Sequence, residues 1–322
     1  MKARILVIRG GAIGDFILSL PALGLLREAF PTAHIEVLGY KHIIALAEDR
    51  IYAQATRSIE YAAMAGFFIP GSELDPDLAD YFASFQQIVS YLYDPNGYFD
   101  ANLRRAGARQ ILAAYARLDD SAHAAHQLAR PLQSMALYLE DHGARIFLSP
   151  EDRTFAARFL ADTDERPLIA IHPGSGSAKK NWPIENWAAL GRSLLERSNQ
   201  PQLLLIGGEA DHDRIDALRE AWREAPVLLA RDLPLPALGA VLERAHLFLG
   251  HDSGISHLAG AVGATAMLLF GPTDPAIWAP ANPNVRVLEA PQRDLNALSV
   301  NEVITELCHH FPDLFSQSRD SA

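Results

Sequence analysis

The sequence predicts an α/β protein of two domains, and three observations carry that reading. Its 322 residues stand near the length at which one hydrophobic core divides into two. In the second half, short apolar runs alternate regularly with amphipathic stretches of helical period, which implies a mainly parallel, doubly wound sheet with right-handed crossovers. The first half opens on a β-branched run that passes through a glycine-rich turn into a helical pattern, the start of another such unit.

The elements follow in order. Residues 5–8 form the first strand, and Gly10, Gly11 and Gly14 hand it to a helix over residues 15–30, which Pro31 stops. Lys2 and Arg4 before this apolar stretch imitate a signal peptide, but Arg9 and Asp15 interrupt it, so it reads as a buried strand and helix. Strands are expected at 35–38 and 88–92, the latter ending at the turn Asp94-Pro95-Asn96-Gly97, and helices at 77–85, 102–117 and 123–140. A charged, proline-containing stretch at 162–167 marks a boundary, which divides the chain into domains 1–162 and 163–298. The second domain has strands at 168–171, 202–206, 227–229, 247–249, 266–270 and 285–288. Helices run between them at 183–197, 211–223, 235–244 and 254–262. The tail 299–322 carries a last helix, about 300–314, expected to cross back to the first domain. Sheets of this kind place ligands beyond the carboxyl ends of their strands.

Charge narrows the function. With 28 basic against 39 acidic residues the chain carries a net −11, which argues against a nucleic-acid partner. The acidity belongs mostly to the second half. Only four of the basic residues are lysines, Lys2, Lys41, Lys179 and Lys180, and two of these are adjacent. A single cysteine, Cys308, excludes an internal disulfide framework and a multi-cysteine zinc site and suits the cytoplasm. The histidines lack the carboxylate or cysteine support of a metal site, and no Gly-x-Ser-x-Gly elbow is present.

Chemistry-bearing residues gather at the expected strand ends. The turn Gly10 to Asp15 resembles half of a dinucleotide fingerprint, with Glu36 at about ribose distance. Arg9 stands where its first glycine belongs, however, and Asp15 occupies the helix start that a pyrophosphate would need. Asp15 therefore suits a neutral hydroxyl, or serves as an ordinary helix-start carboxylate. The loop from Pro173 to Pro183 places Ser175 and Lys180 between a strand and a helix, where small residues admit a ligand and a lysine neutralises phosphate. Gly208-Glu209 offers a carboxylate to two ribose hydroxyls. Asp252-Ser253-Gly254 opens a helix whose free N–H groups suit an anion, with His257 in its first turn. Gly271-Pro272-Thr273-Asp274-Pro275 presents Thr273 to phosphate. Arg104, Arg105 and Arg109 form a basic cluster, either a solvated face or a contact for a phosphorylated acceptor.

These motifs, in this order, resemble glycosyltransferase family 9, the ADP-heptose:lipopolysaccharide heptosyltransferases. The resemblance rests on Gly14-Asp15, Lys180-Asn181-Trp182-Pro183, Gly208-Glu209, Asp252-Ser253-Gly254 with His257, and Gly271 to Pro275. It implies a GT-B fold, two Rossmann-like domains facing across a cleft, with acceptor on the N-terminal side and nucleotide-sugar on the C-terminal side. It further implies inverting transfer of a heptose or related sugar from an ADP-linked donor, without a required metal or other cofactor. Asp15 would be the base, and Lys180 would act on the leaving diphosphate. Gly14, Ser175, Lys180, Glu209, Asp252, Ser253, Gly254, His257 and Thr273 would hold the donor. The implied acceptor is a lipid-linked saccharide, met at the cytoplasmic face of the inner membrane. A nucleotide-sugar epimerase on the same fold and a non-catalytic nucleotide- or glycan-binding protein are the alternatives.

Overall fold

The computed structural model describes residues 2–115, 117–197 and 200–315. It divides into two compact units, Met1–Phe147 and Leu148–Ala322. In the first unit the order is β1 (Arg4–Arg9), α1 (Ile13–Ala29), β2 (His34–Gly39), α2 (Lys41–Ile44), β3 (Ala55–Ser58), α3 (Pro76–Ala83), β4 (Gln87–Ser90), α4 (Tyr98–Arg105), β5 (Ile111–Ala113) and α5 (Ala124–Ala129). The strands lie parallel in the order β3-β2-β1-β4-β5. Ile5 to Ile8 are buried on both faces of the sheet, which is why the run reads as continuous rather than alternating apolar residues. The strand order reverses between β1 and β4, so the crevice at their carboxyl ends is the expected ligand position.

Several expectations for this half are corrected. The stretch 102–117 is not one helix: α4 ends at Arg105, Gly107 takes φ 97°, and Ile111–Ala113 leaves as β5 to pair with β4. A left-handed glycine ends a helix at little cost, and an open sheet edge takes the residues that follow. Residues 123–140 form only α5 and a 3₁₀ turn over Arg130–Met135, since Ala136 at φ 58° stops the helix. The short edge strand β3 had no apolar run to announce it. The helix α1 starts two residues earlier than expected, which places Gly14 and Asp15 inside its first turn.

The second unit follows with α6 (Pro150–Phe159), β6 (Leu168–Ile171), α7 (Ile184–Leu195), β7 (Gln202–Gly207), α8 (His212–Ala221), β8 (Val227–Arg231), α9 (Leu235–Glu243), β9 (Leu247–His251), α10 (Gly254–Ala261), β10 (Ala266–Phe270), α11 (Pro275–Trp278), β11 (Val285–Glu289), α12 (Val300–His310) and α13 (Pro312–Phe315). Its parallel sheet runs β11-β10-β9-β6-β7-β8. That is a doubly wound order, with its switch point between β6 and β9. All six expected strands are present, and both units are the Rossmann-like kind expected.

The boundary lies after Phe147 rather than after residue 162. Ser149 and Asp152 close a capping box at the start of α6, and α6 joins α9 through Arg153, whose Nε is 2.9 Å from a Glu243 oxygen. Residues 150–159 thus belong to the second unit. The tail helix α12 packs within that unit. Val303 and Leu307 are buried in one cluster with Trp182, Trp187, Leu295 and Leu298, and Trp182 Nε1 donates to the Leu298 carbonyl at 2.9 Å. The apolar stripe of α12 is buried in that core.

Candidate active site

At the switch point of the first unit, β1 ends in Arg9 and the chain turns through Gly10 and Gly11. Gly11 has φ 100°, and a Cβ there would stand 2.9 Å from Asp15 Oδ2, so the turn needs glycine. Asp15 Oδ2 accepts from the Ala12 N–H at 2.9 Å, which fixes the carboxylate at the helix start while leaving Oδ1 unpartnered among the described residues. Arg9 donates from Nε and Nη2 to the Asp15 carbonyl, at 3.3 and 2.9 Å. Burial lowers the Arg9 guanidinium, and Asp15, Tyr91 and Tyr115 oppose that shift. Glu36 is unavailable to a ribose: it is 8% exposed and bound by Arg4, His34 and Tyr81. Arg104 pairs with Asp100, and Arg105 bonds Asn102 and the Ser72 carbonyl, so both serve α4 and its neighbours. Arg109 is exposed.

At the switch point of the second unit the strand-end loops meet on Asp252. One oxygen, Oδ2, accepts from Lys180 Nζ at 2.6 Å and from Thr273 Oγ1 at 2.7 Å. Three residues far apart in sequence thereby converge, each from a different strand end. The lysine expected to face phosphate is thus held by an acid, part-buried at 31% side-chain exposure. A phosphate arriving here would compete with Asp252 for Lys180, and Thr273 would follow the same exchange.

Ser253 is the N-cap of α10: its Oγ accepts from the Ser256 N–H at 3.3 Å and lies 3.1 Å from Ser256 Oγ. Ser256 in turn donates to the His251 carbonyl. Gly254 begins α10 as expected, with its N–H in the first turn. His257 is 5% exposed, inside the unit rather than on an open face. Ser175 bonds within its own loop, donating to the Ser177 carbonyl at 2.8 Å and accepting from the Ser177 N–H at 3.3 Å. Glu209 is exposed at the start of a 3₁₀ turn, Glu209–Asp211.

Four residues outside the motif reading shape this edge. His251 is fully buried, and its Nε2 accepts from the Trp182 N–H at 2.8 Å and from Trp187 Nε1 at 3.3 Å. Two donors on one nitrogen put the ring proton on Nδ1, which faces the Gly174 carbonyl at 3.4 Å. Burial pushes this imidazole down to about 3, the Gly174 bond opposing, so it is neutral. Arg214 donates to the carbonyls of Pro173 and Trp182, each at 2.8 Å. Together His251 and Arg214 hold both ends of the lysine loop.

Asp211 and His172 complete the edge. Asp211 Oδ2 lies 3.3 Å from His172 Nε2 and accepts from the Gly208 N–H at 3.0 Å. Burial raises the Asp211 carboxyl, but His172, Gly208 and Arg214 outweigh it and hold the group below its ordinary value. The ionised acceptor assigns the ring proton to Nε2, so His172 Nδ1, 3.4 Å from Ser253 Oγ, is the acceptor side. A Cβ on Gly174 would lie 1.7 Å from Asp211 Oδ1, which explains the glycine. A histidine at a strand end was the only signal for His172 and His251, and nothing local separated either from a packing residue.

Comparison with known proteins agrees with this geometry. The family model of glycosyltransferase family 9 (heptosyltransferase) matches residues 101–305. Lipopolysaccharide heptosyltransferase 1 of Pseudomonas aeruginosa is 28% identical over 294 residues, 84% of this chain and 79% of that protein. Lipopolysaccharide heptosyltransferase 2 of Escherichia coli K12 is 25% identical over 44% of this chain, and the chain spans only 41% of that protein's length. Among solved structures, the glycosyl transferase family 9 protein of Veillonella parvula superposes with TM-score 0.77 at 21% identity, covering 95% of this chain and 96% of that one. The E. coli heptosyltransferase WaaC with ADP gives 0.70 at 18% identity, covering 95% and 99%. At such identities the structures show the fold, GT-B. With two parallel α/β units, the strand-end constellation and a family match over most of its length, the chain belongs to glycosyltransferase family 9, a family of heptosyltransferase-type glycosyltransferases.

Proposed function

We propose that the protein transfers a heptose from an ADP-activated donor to a hydroxyl of a lipopolysaccharide-type saccharide, with inversion, and that Asp15 is the general base. The donor class is supported by relatives named lipopolysaccharide heptosyltransferases and by a fold neighbour solved with ADP. Asp15 carries the reading of mechanism: one oxygen is fixed by the Ala12 N–H, and the other has no partner among the described residues. A carboxylate so held accepts the acceptor hydroxyl's proton as that oxygen attacks the anomeric carbon.

The leaving diphosphate gains charge as the glycosidic bond breaks, so fixed donors around it lower the barrier. Lys180 supplies that charge by exchanging Asp252 for phosphate, Thr273 and the α10 N–H groups of Ser253 and Gly254 add donors, and no metal is required. Glu209 takes the ribose. Gly14, Ser175 and His257 complete the binding set, and Asp252, once released, is available to the sugar. The lipid-linked acceptor places the protein at the cytoplasmic face of the inner membrane; among the described residues no helix is long and apolar enough to cross a membrane.

The test is Asp15→Asn, which keeps an oxygen for Ala12 and removes the base. Transfer should fall by about 10²–10⁴-fold, while ADP-heptose still raises the melting temperature. Turnover retained at the unmutated rate would reject Asp15 as base, and no stabilisation of either protein by any ADP-sugar would reject the donor assignment.

A further inference from the structure

We propose that His172 is a positioning residue of the donor site, one that takes up a proton as the donor's diphosphate binds and thereby turns the Ser253 hydroxyl toward it. The inference rests on the nucleotide-sugar reading and adds to it a residue and a proton that the motifs do not contain.

The first observation is placement. Asp211, His172 and Ser253 follow the carboxyl ends of β7, β6 and β9, three adjacent strands at the switch point of the second sheet. Asp211 Oδ2 lies 3.3 Å from His172 Nε2, and His172 Nδ1 lies 3.4 Å from Ser253 Oγ. His172 is 3% exposed and Ser253 8%. This buried line ends at the N-cap of α10, the helix start beside which the diphosphate is to sit.

The second observation is charge. Each cation bonded into this edge already faces an acid: Lys180 Nζ is 2.6 Å from Asp252, and Arg214, spent on two backbone carbonyls, has Asp211 and Glu185 as opposing charges. Lys179 and Glu209 are exposed. A dianionic diphosphate therefore meets balanced charge, and one further positive charge beside it strengthens binding, the more so in a buried site. His251 is unsuited to supply it, because its Nε2 accepts from Trp182 and Trp187. His257, 5% exposed on α10, is the competing candidate.

Hydrogen bonding favours His172. In the neutral ring, Nε2–H donates to Asp211 and Nδ1 accepts the Ser253 hydroxyl proton, while Ser253 Oγ accepts from the Ser256 N–H at 3.3 Å. Once Nδ1 takes a proton from solvent it donates to Ser253 Oγ, which then accepts twice and keeps its single proton for a phosphate oxygen. Ser256 Oγ, 3.1 Å from Ser253 Oγ, is the other acceptor for that proton, and a charged phosphate is the stronger one. Both ring nitrogens stay bonded in both states, and no heavy atom has to move.

Isothermal titration calorimetry of ADP-heptose into the full chain, in two buffers of different ionisation enthalpy, counts the protons. Both phosphates of this donor are esterified, so it brings no group that titrates near neutral pH. The unmutated protein should take up about 0.5–1 proton at pH 7.5, and its affinity should fall about three- to tenfold per pH unit above that. His172→Gln should bind ADP-heptose without uptake and with a flat pH dependence, a change that loss of a merely structural histidine would not produce. Nitrogen-edited NMR of the unmutated protein gives the same information if the variant does not fold: both nitrogens of His172 should carry protons when ADP-heptose is bound. Binding without proton uptake, uptake that survives in His172→Gln, or uptake lost in His257→Gln instead, would overturn the proposal and leave the donor reading standing. Failure of ADP-heptose to bind the unmutated protein at all would reject the donor reading, and this proposal with it.

Discussion

Mild acid should lower the stability of the fold through a single buried histidine. His251 is fully buried and its ring is held near pH 3 in the folded protein, against 6.5 for the free side chain. A histidine depressed on folding stabilises the protein above its unfolded value and loses that contribution as pH falls from about 6.5 towards 3, because the unfolded state binds the proton first. Each pH unit in that window costs about 1.4 kcal/mol, so pH 5 should remove about 2 kcal/mol relative to neutral pH.

The structural consequence follows from the bonds. A protonated Nε2 accepts from neither Trp182 nor Trp187, so the folded ring resists the proton that the unfolded ring takes near pH 6.5, and the difference appears as lost stability. Urea denaturation at pH 7.5 and pH 5, on the unmutated chain and on His251→Gln, isolates this contribution from the many carboxylates. The unmutated protein should lose about 2 kcal/mol more than the variant. A nitrogen-edited NMR titration of His251 gives the same information without a variant, the ring staying neutral at pH 5. Parallel pH dependences for the two proteins, or a ring that titrates near 6.5 in the folded state, would refute the reasoning.

Further outcomes follow from the same geometry. Lys180→Ala should lower the rate of transfer by about 2–4 kcal/mol in activation free energy, on the scale of removing one oxyanion donor, as read from kcat with saturating donor. Gly174→Ala drives a Cβ into Asp211, 1.7 Å from its Oδ1, and should destabilise the protein by about 1–3 kcal/mol and weaken donor binding, seen by denaturation and by thermal shift with ADP. Leu307→Ala leaves a cavity among the tryptophans of the second core and should cost about 2–5 kcal/mol; a loss under 1 kcal/mol would show that α12 is only loosely attached.

The second sheet was legible because its strands are short, largely apolar runs bounded by turn residues, and its four central strands are buried. The first half was less so. β5 is three residues long, and Ile111, Leu112 and Ala113 are equally good helix residues; only the neighbouring β4 edge and the left-handed Gly107 decide for a strand. Tail helix α12 carried an amphipathic stripe that required a core, but a stripe does not say which core. Nor did Ser149-Pro150-Glu151-Asp152, a readable helix start, tell to which unit its helix belongs.

For the site, the sequence determined which residue types stand at the strand ends: Asp15 after the first strand, Lys180 in a glycine- and serine-rich loop, Asp252 and Thr273 at two further ends. Motif spacing carries that information because strand-end loops are local. Tertiary structure alone decided that Lys180 and Thr273 both bond one oxygen of Asp252, and that His251 and Arg214 secure the loop. Those partnerships join residues dozens of positions apart, and they depend on strand order in the sheet. The burial that makes His251 neutral is likewise a property of the packed core. The lysine pair conspicuous in the composition stands in a strand-end loop, and the charge of Lys180 is balanced by an acid, Asp252, that only the fold brings within 2.6 Å.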